Sequence, residues 1–171
     1  MESTLPRLPD ALRRLDISLR PQTDDDQSFL LELYRSVRWE ELAPVDWPDD
    51  TKLAFLDHQF QLQTTHYKRF YYDAAFGIVE AVGEPIGRLY LIVQPGDLRI
   101  VDISLLPQWR GRGIGGRLIG TVFEQAREQG LPVVSIHVEQ FNPARRLYDR
   151  LGFKEIEVKG PYILMKAQID R

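Results

Sequence analysis

Between residues 111 and 116 the chain carries four glycines (Gly111, Gly113, Gly115, Gly116), out of twelve in the whole sequence. An apolar run, Leu98-Arg-Ile-Val-Asp-Ile-Ser-Leu-Leu106, precedes them, and Ile114, Leu118, Val122 and Ala126 follow at a spacing of four. A strand therefore feeds a helix through a turn stripped of side chains. A ligand can approach main-chain N–H groups there, because the first turn of a helix leaves them unpaired. Such a place attracts phosphate. Arg110, Arg112 and Arg117 add positive charge, in a chain with 22 Lys and Arg against 25 Asp and Glu.

Two nucleotide folds can be tested against this turn. Gly111-x-Gly113-x-x-Gly116 satisfies the dinucleotide fingerprint, and Glu139 lies near the spacing of a ribose-binding acid. That turn should leave its strand almost at once, yet Pro107-Gln-Trp-Arg110 intervenes. The stretch from Arg117 to Arg171 is too short for the remaining βαβ units, and the preceding strands read as a meander. The Walker pattern fails as well, because Arg117-Leu118 stands where Lys-Ser/Thr is required.

The chain has 171 residues, 43% apolar and 27% charged, which suits one soluble domain with one main core. The absence of cysteine excludes disulfides, thiolate metal sites and cysteine nucleophiles. His58, His66 and His137 fall in no metal-ligand spacing, so no metal is expected. The slightly acidic balance argues against a uniformly basic nucleic-acid surface. No apolar run is long enough to cross a membrane, and the start lacks a signal-peptide core; a cytoplasmic protein is expected.

Residues 1–15, broken by Pro6 and Pro9, read as a polar N-terminal extension with a short helical turn, and 16–171 as the domain. Ile17 to Arg20 alternates as a first strand, and Phe29, Leu30, Leu33 and Val37 recur as a helix. A second helix runs from near Asp49. Phe76 to Val82, Ile86 to Val93 and Leu98 to Leu106 form a meander, joined at Gly83-Glu-Pro and Pro95-Gly96. A long helix to about Gln129, a strand from Val133, a helix opened by Asn142-Pro143 and two last strands complete the order. The reading is an α/β mixed sheet, β-α-α-β-β-β-α-β-α-β-β.

Gln108-Trp-Arg-Gly-Arg-Gly113 fits the Q/R-x-x-G-x-G/A signature of the GNAT superfamily of acyl-CoA-dependent N-acetyltransferases. Asn142-Pro-Ala-Arg-Arg-Leu-Tyr148-Asp-Arg-Leu-Gly-Phe153 resembles that family's second motif, N-x-A-x-x-L-Y-x-x-x-G-F. The interval between them holds one helix, one strand and their turns, and the order from Ile17 to Lys166 agrees too. The resemblance implies a GNAT-type fold and acetyl-CoA as cosubstrate. Its pyrophosphate would rest on the main chain of Arg110, Gly111, Arg112, Gly113, Ile114, Gly115 and Gly116. A main-chain N–H at Leu105 or Leu106 would polarise the thioester carbonyl, and Asn142 would meet the cofactor's amide arm. Asn142 also reads as an ordinary helix cap.

Acetyl transfer needs an acid for the leaving thiolate and a route for the amine's proton. Tyr148 matches the tyrosine the family commonly uses as that acid. Asp102 is the candidate base: alternation groups it with Ser104 and Leu106, opposite Val101, Ile103 and Leu105. Glu80 is a weaker rival, and His137 reads as a core histidine. The segment Arg38-Trp-Glu-Glu-Leu-Ala-Pro-Val-Asp-Trp47 sits where the family covers its acceptor. Glu40 and Glu41 there would favour a cationic amine. Tyr67, Phe70, Tyr71 and Tyr72 read as core or interface. The expected function is direct transfer of an acetyl group to a primary amine of a small molecule or peptide; the alternative is an acyl-CoA-binding sensor without turnover. Neither the acceptor nor a homodimer is decided by the sequence.

Overall fold

The computed structural model describes residues 1–170. Seven strands form one sheet: β1 (Ile17–Pro21), β2 (Ala75–Ala81), β3 (Glu84–Gln94), β4 (Asp97–Leu105), β5 (Val133–Glu139), β6 (Lys154–Lys159) and β7 (Tyr162–Gln168), in the spatial order β1-β2-β3-β4-β5-β7-β6. Five helices accompany them: α1 (Asp10–Arg13), α2 (Gln27–Arg38), α3 (Asp49–Phe70), α4 (Ile114–Glu128) and α5 (Arg145–Arg150). The element order from β1 onward is the one the periodicities predict.

Each face of the sheet has its own apolar layer. Leu118, Ile119, Val122 and Ala126 of α4 pack against Leu98 and Ile100 of β4 and Val134, Ile136 and Val138 of β5. On the other face, Leu30 and Tyr34 of α2 meet Leu56 and Phe60 of α3 over Ile78. Residues 1–15 are not a loose polar extension. Leu12 is fully buried and Leu8 nearly so, both within the α4-side core. Gln125 of α4 donates to the Thr4 carbonyl at 2.8 Å. Gly77 leaves the room that Leu5 fills, since a Cβ there would stand 2.8 Å from Leu5 Cδ2.

Two departures from regular pairing make the site. β4 runs parallel to β5 only from Asp97 to Ile100, opposite Val133 to Ile136. Beyond that point β4 stays with β3 as far as Leu105, whereas β5 stays with β7 as far as Glu139. The two strands part, and a wedge opens between them. The second departure is a bulge, in which Tyr90 faces Asp102 but Leu91 already faces Ile100. Val101 is the extra residue. Before it, Leu98 and Ile100 point into the α4-side core; after it, Ile103 and Leu105 do. A one-residue insertion exchanges the faces of everything beyond it. Without it Asp102 would be driven into the apolar layer; with it Asp102 faces α3.

Candidate functional site

The wedge ends at the glycine turn. Gly111 and Gly113 hold φ of +73° and +80°, a region open to glycine at little cost, and a Cβ on either would meet no neighbouring atom within 4 Å. These glycines are therefore required by backbone conformation, and the space above the turn is free for a ligand. The first helical bond of α4 runs from Arg117 N to Gly113 O. The amides of Ile114, Gly115 and Gly116 precede it and point out of the helix start. Ile114 is itself buried, so its side chain anchors the turn while its N–H stays at the surface. The nearest neighbour of a Cβ on Gly116 is Leu147 at 3.6 Å, which sets α5 directly beside the turn. Arg112 lies over the Trp109 ring at 4.7 Å.

The main chain at the end of β4 separates two candidates that the sequence leaves equal. Leu106 N–H donates to the Ile86 carbonyl at 2.8 Å and is spent within the sheet edge. The Leu105 carbonyl accepts from Arg110 Nε at 2.9 Å, on the side away from β3. In an extended strand a residue's N–H and C=O point the same way, so the Leu105 amide faces the wedge.

Across the wedge, Tyr148 of α5 is 5% exposed, with its ring edge-on to Phe153 at 5.9 Å. Burial, and secondarily the charge of Asp102, push its hydroxyl up to about 12. Tyr148 and Asp102 thus belong to one electrostatic neighbourhood, although 46 positions apart in the chain. Asn142 Oδ1 accepts from Ala144 N at 2.9 Å, shaping the turn before α5, which begins at Arg145. The helix thus begins two residues later than Asn142-Pro143 leads one to expect: Ala144 takes the N-cap position with no side-chain cap bond, and Asn142 shapes the preceding turn instead of capping α5.

Asp102 is not a free strand carboxylate. Arg88 Nη2 binds its Oδ2 at 2.5 Å, and Tyr67 Oη donates to the same oxygen at 3.1 Å. Arg88 Nη2 also reaches Gln63 Oε1 at 2.9 Å, and its guanidinium lies 4.9 Å from the Tyr90 ring centre. Burial and then Asp102 hold the Tyr67 hydroxyl well above the ordinary tyrosine range. Both bonds fall on Oδ2, so Oδ1 keeps its lone pairs. Tyr67 therefore keeps its ring against Tyr71 of the aromatic patch but turns its hydroxyl to this cluster, while Phe70 and Tyr72 are exposed. Glu80 is engaged elsewhere, with Arg20 at 3.2 Å. His137 is exposed rather than a core residue, because β5 turns it to the face opposite α4.

The structure parts Glu40 from Glu41. A hollow of about 540 Å³ opens beside the ends of α2 and β5, walled by Arg38, Glu41, Glu139, Phe141 and Tyr162 among others. Glu40 belongs to a separate, shallower depression with Arg35, Trp39 and Pro107. Trp47 stacks edge-on against Phe55 of α3 at 5.5 Å. Phe141, Tyr162 and Arg88 carry no local sequence pattern that marks them; Glu139 is marked only by its spacing from the glycine turn and Arg38 only as the start of the acceptor-covering segment, and their meeting across 101 positions is a product of the fold. Among the described residues no cluster of His, Cys, Asp and Glu could hold a metal ion. No helix there is long and apolar enough to cross a membrane.

A mixed sheet that parts beside a glycine-rich helix start, with the buried Tyr148 on the helix packed next to that turn, is the architecture of a CoA-dependent acyltransferase. The chain belongs to the acetyltransferase (GNAT) family, whose model matches residues 32–153. An uncharacterized N-acetyltransferase of Methanocaldococcus jannaschii is 27% identical over 165 residues, covering 84% of this chain and 73% of that one. The [ribosomal protein bS18]-alanine N-acetyltransferase of Haemophilus influenzae is 33% identical over 63 residues, 37% of this chain. That match spans less than half of the relative, 43% of its length. The crystal structure of PaiA N-acetyltransferase from Thermoplasma acidophilum in complex with coenzyme A superposes with a TM-score of 0.68. It is 18% identical and covers 89% of this chain and 98% of that one, a likeness of fold.

Proposed function

We propose that the protein transfers the acetyl group of acetyl-CoA directly to a primary amine held in the wedge between β4 and β5. One observation carries this reading: the strands part where the glycine turn presents its amides, with α5 packed beside both. The turn from Arg110 to Gly116 holds the pyrophosphate on main-chain N–H groups and the α4 dipole. The pantetheine arm lies along the free edge of β4. Asn142, whose Oδ1 shapes its own turn, offers Nδ2 to an amide carbonyl of that arm.

The amine nitrogen attacks the thioester carbonyl; the N–C bond forms and the C–S bond breaks. The Leu105 amide stabilises the developing oxyanion, a fixed donor typically worth a few kcal/mol. Asp102 attracts the acceptor ammonium through Oδ1 and receives its proton, directly or through water. Tyr148 protonates the departing thiolate, and its raised pKa keeps the hydroxyl protonated at neutral pH. The acceptor is a small amine or a peptide N-terminus.

A coupled thiol-release assay over an amine and peptide panel, run beside calorimetric titration of acetyl-CoA, tests the reading. Acceptor-dependent release of coenzyme A is expected. Folded protein that takes up no acetyl-CoA overturns it; uptake without any acceptor-dependent release leaves a CoA-binding module instead.

A further inference from the structure

We propose that the hollow beside the wedge receives a second cationic group of the acceptor, and that Arg38 stands in for that group in its absence. The inference rests on the acceptor-amine reading above and names its substrate class: a small amine carrying a further positive charge.

Arg38 ends α2, and Glu139 ends β5, so their ion pair bridges the two elements that flank the hollow. Arg38 Nη1 also reaches Glu41 Oε2 at 3.3 Å, and its guanidinium lies over the Tyr34 ring at 5.5 Å. Two carboxylates thus share one cation in a half-desolvated recess, which keeps an excess negative charge. Burial, and then Glu139 beside it, push the Glu41 carboxyl above the ordinary carboxylate range. A second cation would relieve that repulsion; an anionic group would add to it.

The rest of the wall suits the same guest. Phe141 is 95% exposed, and Tyr162 is exposed on the facing side of the hollow. Exposed aromatic rings lining a recess suit a cationic guest, which is attracted to a ring face. Phe141 directly precedes Asn142, so the recess adjoins the expected cofactor arm, within reach of a short acceptor. The Arg38 guanidinium is held at its far end by non-covalent contacts alone, with Glu139, Glu41 and the Tyr34 ring. It can swing away when a guest cation takes Glu139, so the guest and Arg38 compete for the same carboxylates. Competition makes opposite predictions for its two partners. Removing Arg38 frees the site, whereas removing Glu139 abolishes it. An ion pair that merely staples α2 to β5 would weaken binding in both variants alike.

The test is calorimetric titration of 1,5-diaminopentane and 1-aminopentane into the full chain at pH 7.5, for wild type, Arg38→Met and Glu139→Gln. The diamine is expected to bind about tenfold more tightly than the monoamine, the scale of one charge-assisted hydrogen bond. Arg38→Met should tighten the diamine about tenfold and Glu139→Gln should loosen it about tenfold, with the monoamine little moved. Glu41→Gln, expected to loosen the diamine, replaces Glu139→Gln if circular dichroism shows that variant unfolded. Equal affinities for the two amines, or variants that do not move in opposite directions, overturn the inference. Acetyl-CoA titrated into the same samples keeps the two readings apart. Loss of that binding strikes the acetyl-transfer reading, whereas indifference to the second charge strikes only this one.

Discussion

Arg88 Nη2 and Asp102 Oδ2 lie 2.5 Å apart on neighbouring strands, and the Arg88 side chain is 5% exposed. A guanidinium so far from water keeps its charge and depends on the neighbouring carboxylate to compensate it. Asp102→Asn leaves the guanidinium buried and uncompensated, and should cost about 3 kcal/mol or more. Arg88→Met combined with Asp102→Asn removes both charges and should recover a large part of that loss. Chemical denaturation of the two single variants and the double variant measures the coupling. Additive losses would show that the two side chains do not depend on one another.

At the glycine turn the prediction concerns both conformation and charge. Gly113 sits at φ +80° with open space where a Cβ would go. Gly113→Ala should therefore cost about 1 kcal/mol of stability, from backbone strain alone. Gly113→Asp adds bulk and a negative charge facing the expected diphosphate, and should weaken acetyl-CoA binding far more than the alanine does. Calorimetry on both folded variants separates the effects; equal affinities would remove the turn from the cofactor site.

These cases mark what local sequence can carry. Glycine spacing, strand alternation and helical periodicity are short-range signals, so the turn and the element order can be read directly, whereas Tyr148 and Asn142 are picked out by the resemblance to the family's second motif. The bulge at Val101 is different: nothing in Arg99-Ile-Val-Asp-Ile103 announces an extra residue, yet it decides which face Asp102 occupies. Arg88, Tyr67 and Gln63 reach Asp102 from two other elements, and Arg38 meets Glu139 only through the closed sheet. Side-chain pairs made by tertiary packing leave no periodic trace.

The same limit governs the N-terminal segment, whose prolines and charges disguise its contribution. Leu12 is wholly buried in the core beneath α4. Leu12→Ala should destabilise the fold by about 2–5 kcal/mol, as for other buried leucines. Deleting residues 1–15 should lower the thermal midpoint sharply rather than trim a tail. Unchanged melting of the truncated chain would return the segment to the status of an extension.

With Tyr148 as the proposed acid, one hydroxyl bears on both stability and turnover. Burial raises its pKa from the ordinary 10.0 to about 12. A raised folded-state value means that the folded protein holds this proton more tightly than the unfolded chain. The corresponding stability, about 3 kcal/mol, is fully present below pH 10 and drains away as pH rises from 10 to 12. Tyr148→Phe cannot ionise, so it should lose that part of the alkaline decline in a comparison of melting curves across this range. Activity follows the hydroxyl rather than the ring. The phenylalanine variant should bind acetyl-CoA as the parent does but turn over about 10²-fold more slowly or worse, the usual contribution of a positioned acid. The parent's kcat should show no fall from tyrosine ionisation between pH 7 and 10. An undiminished kcat in Tyr148→Phe would pass the thiolate's proton to water and leave Tyr148 a packing residue against Phe153.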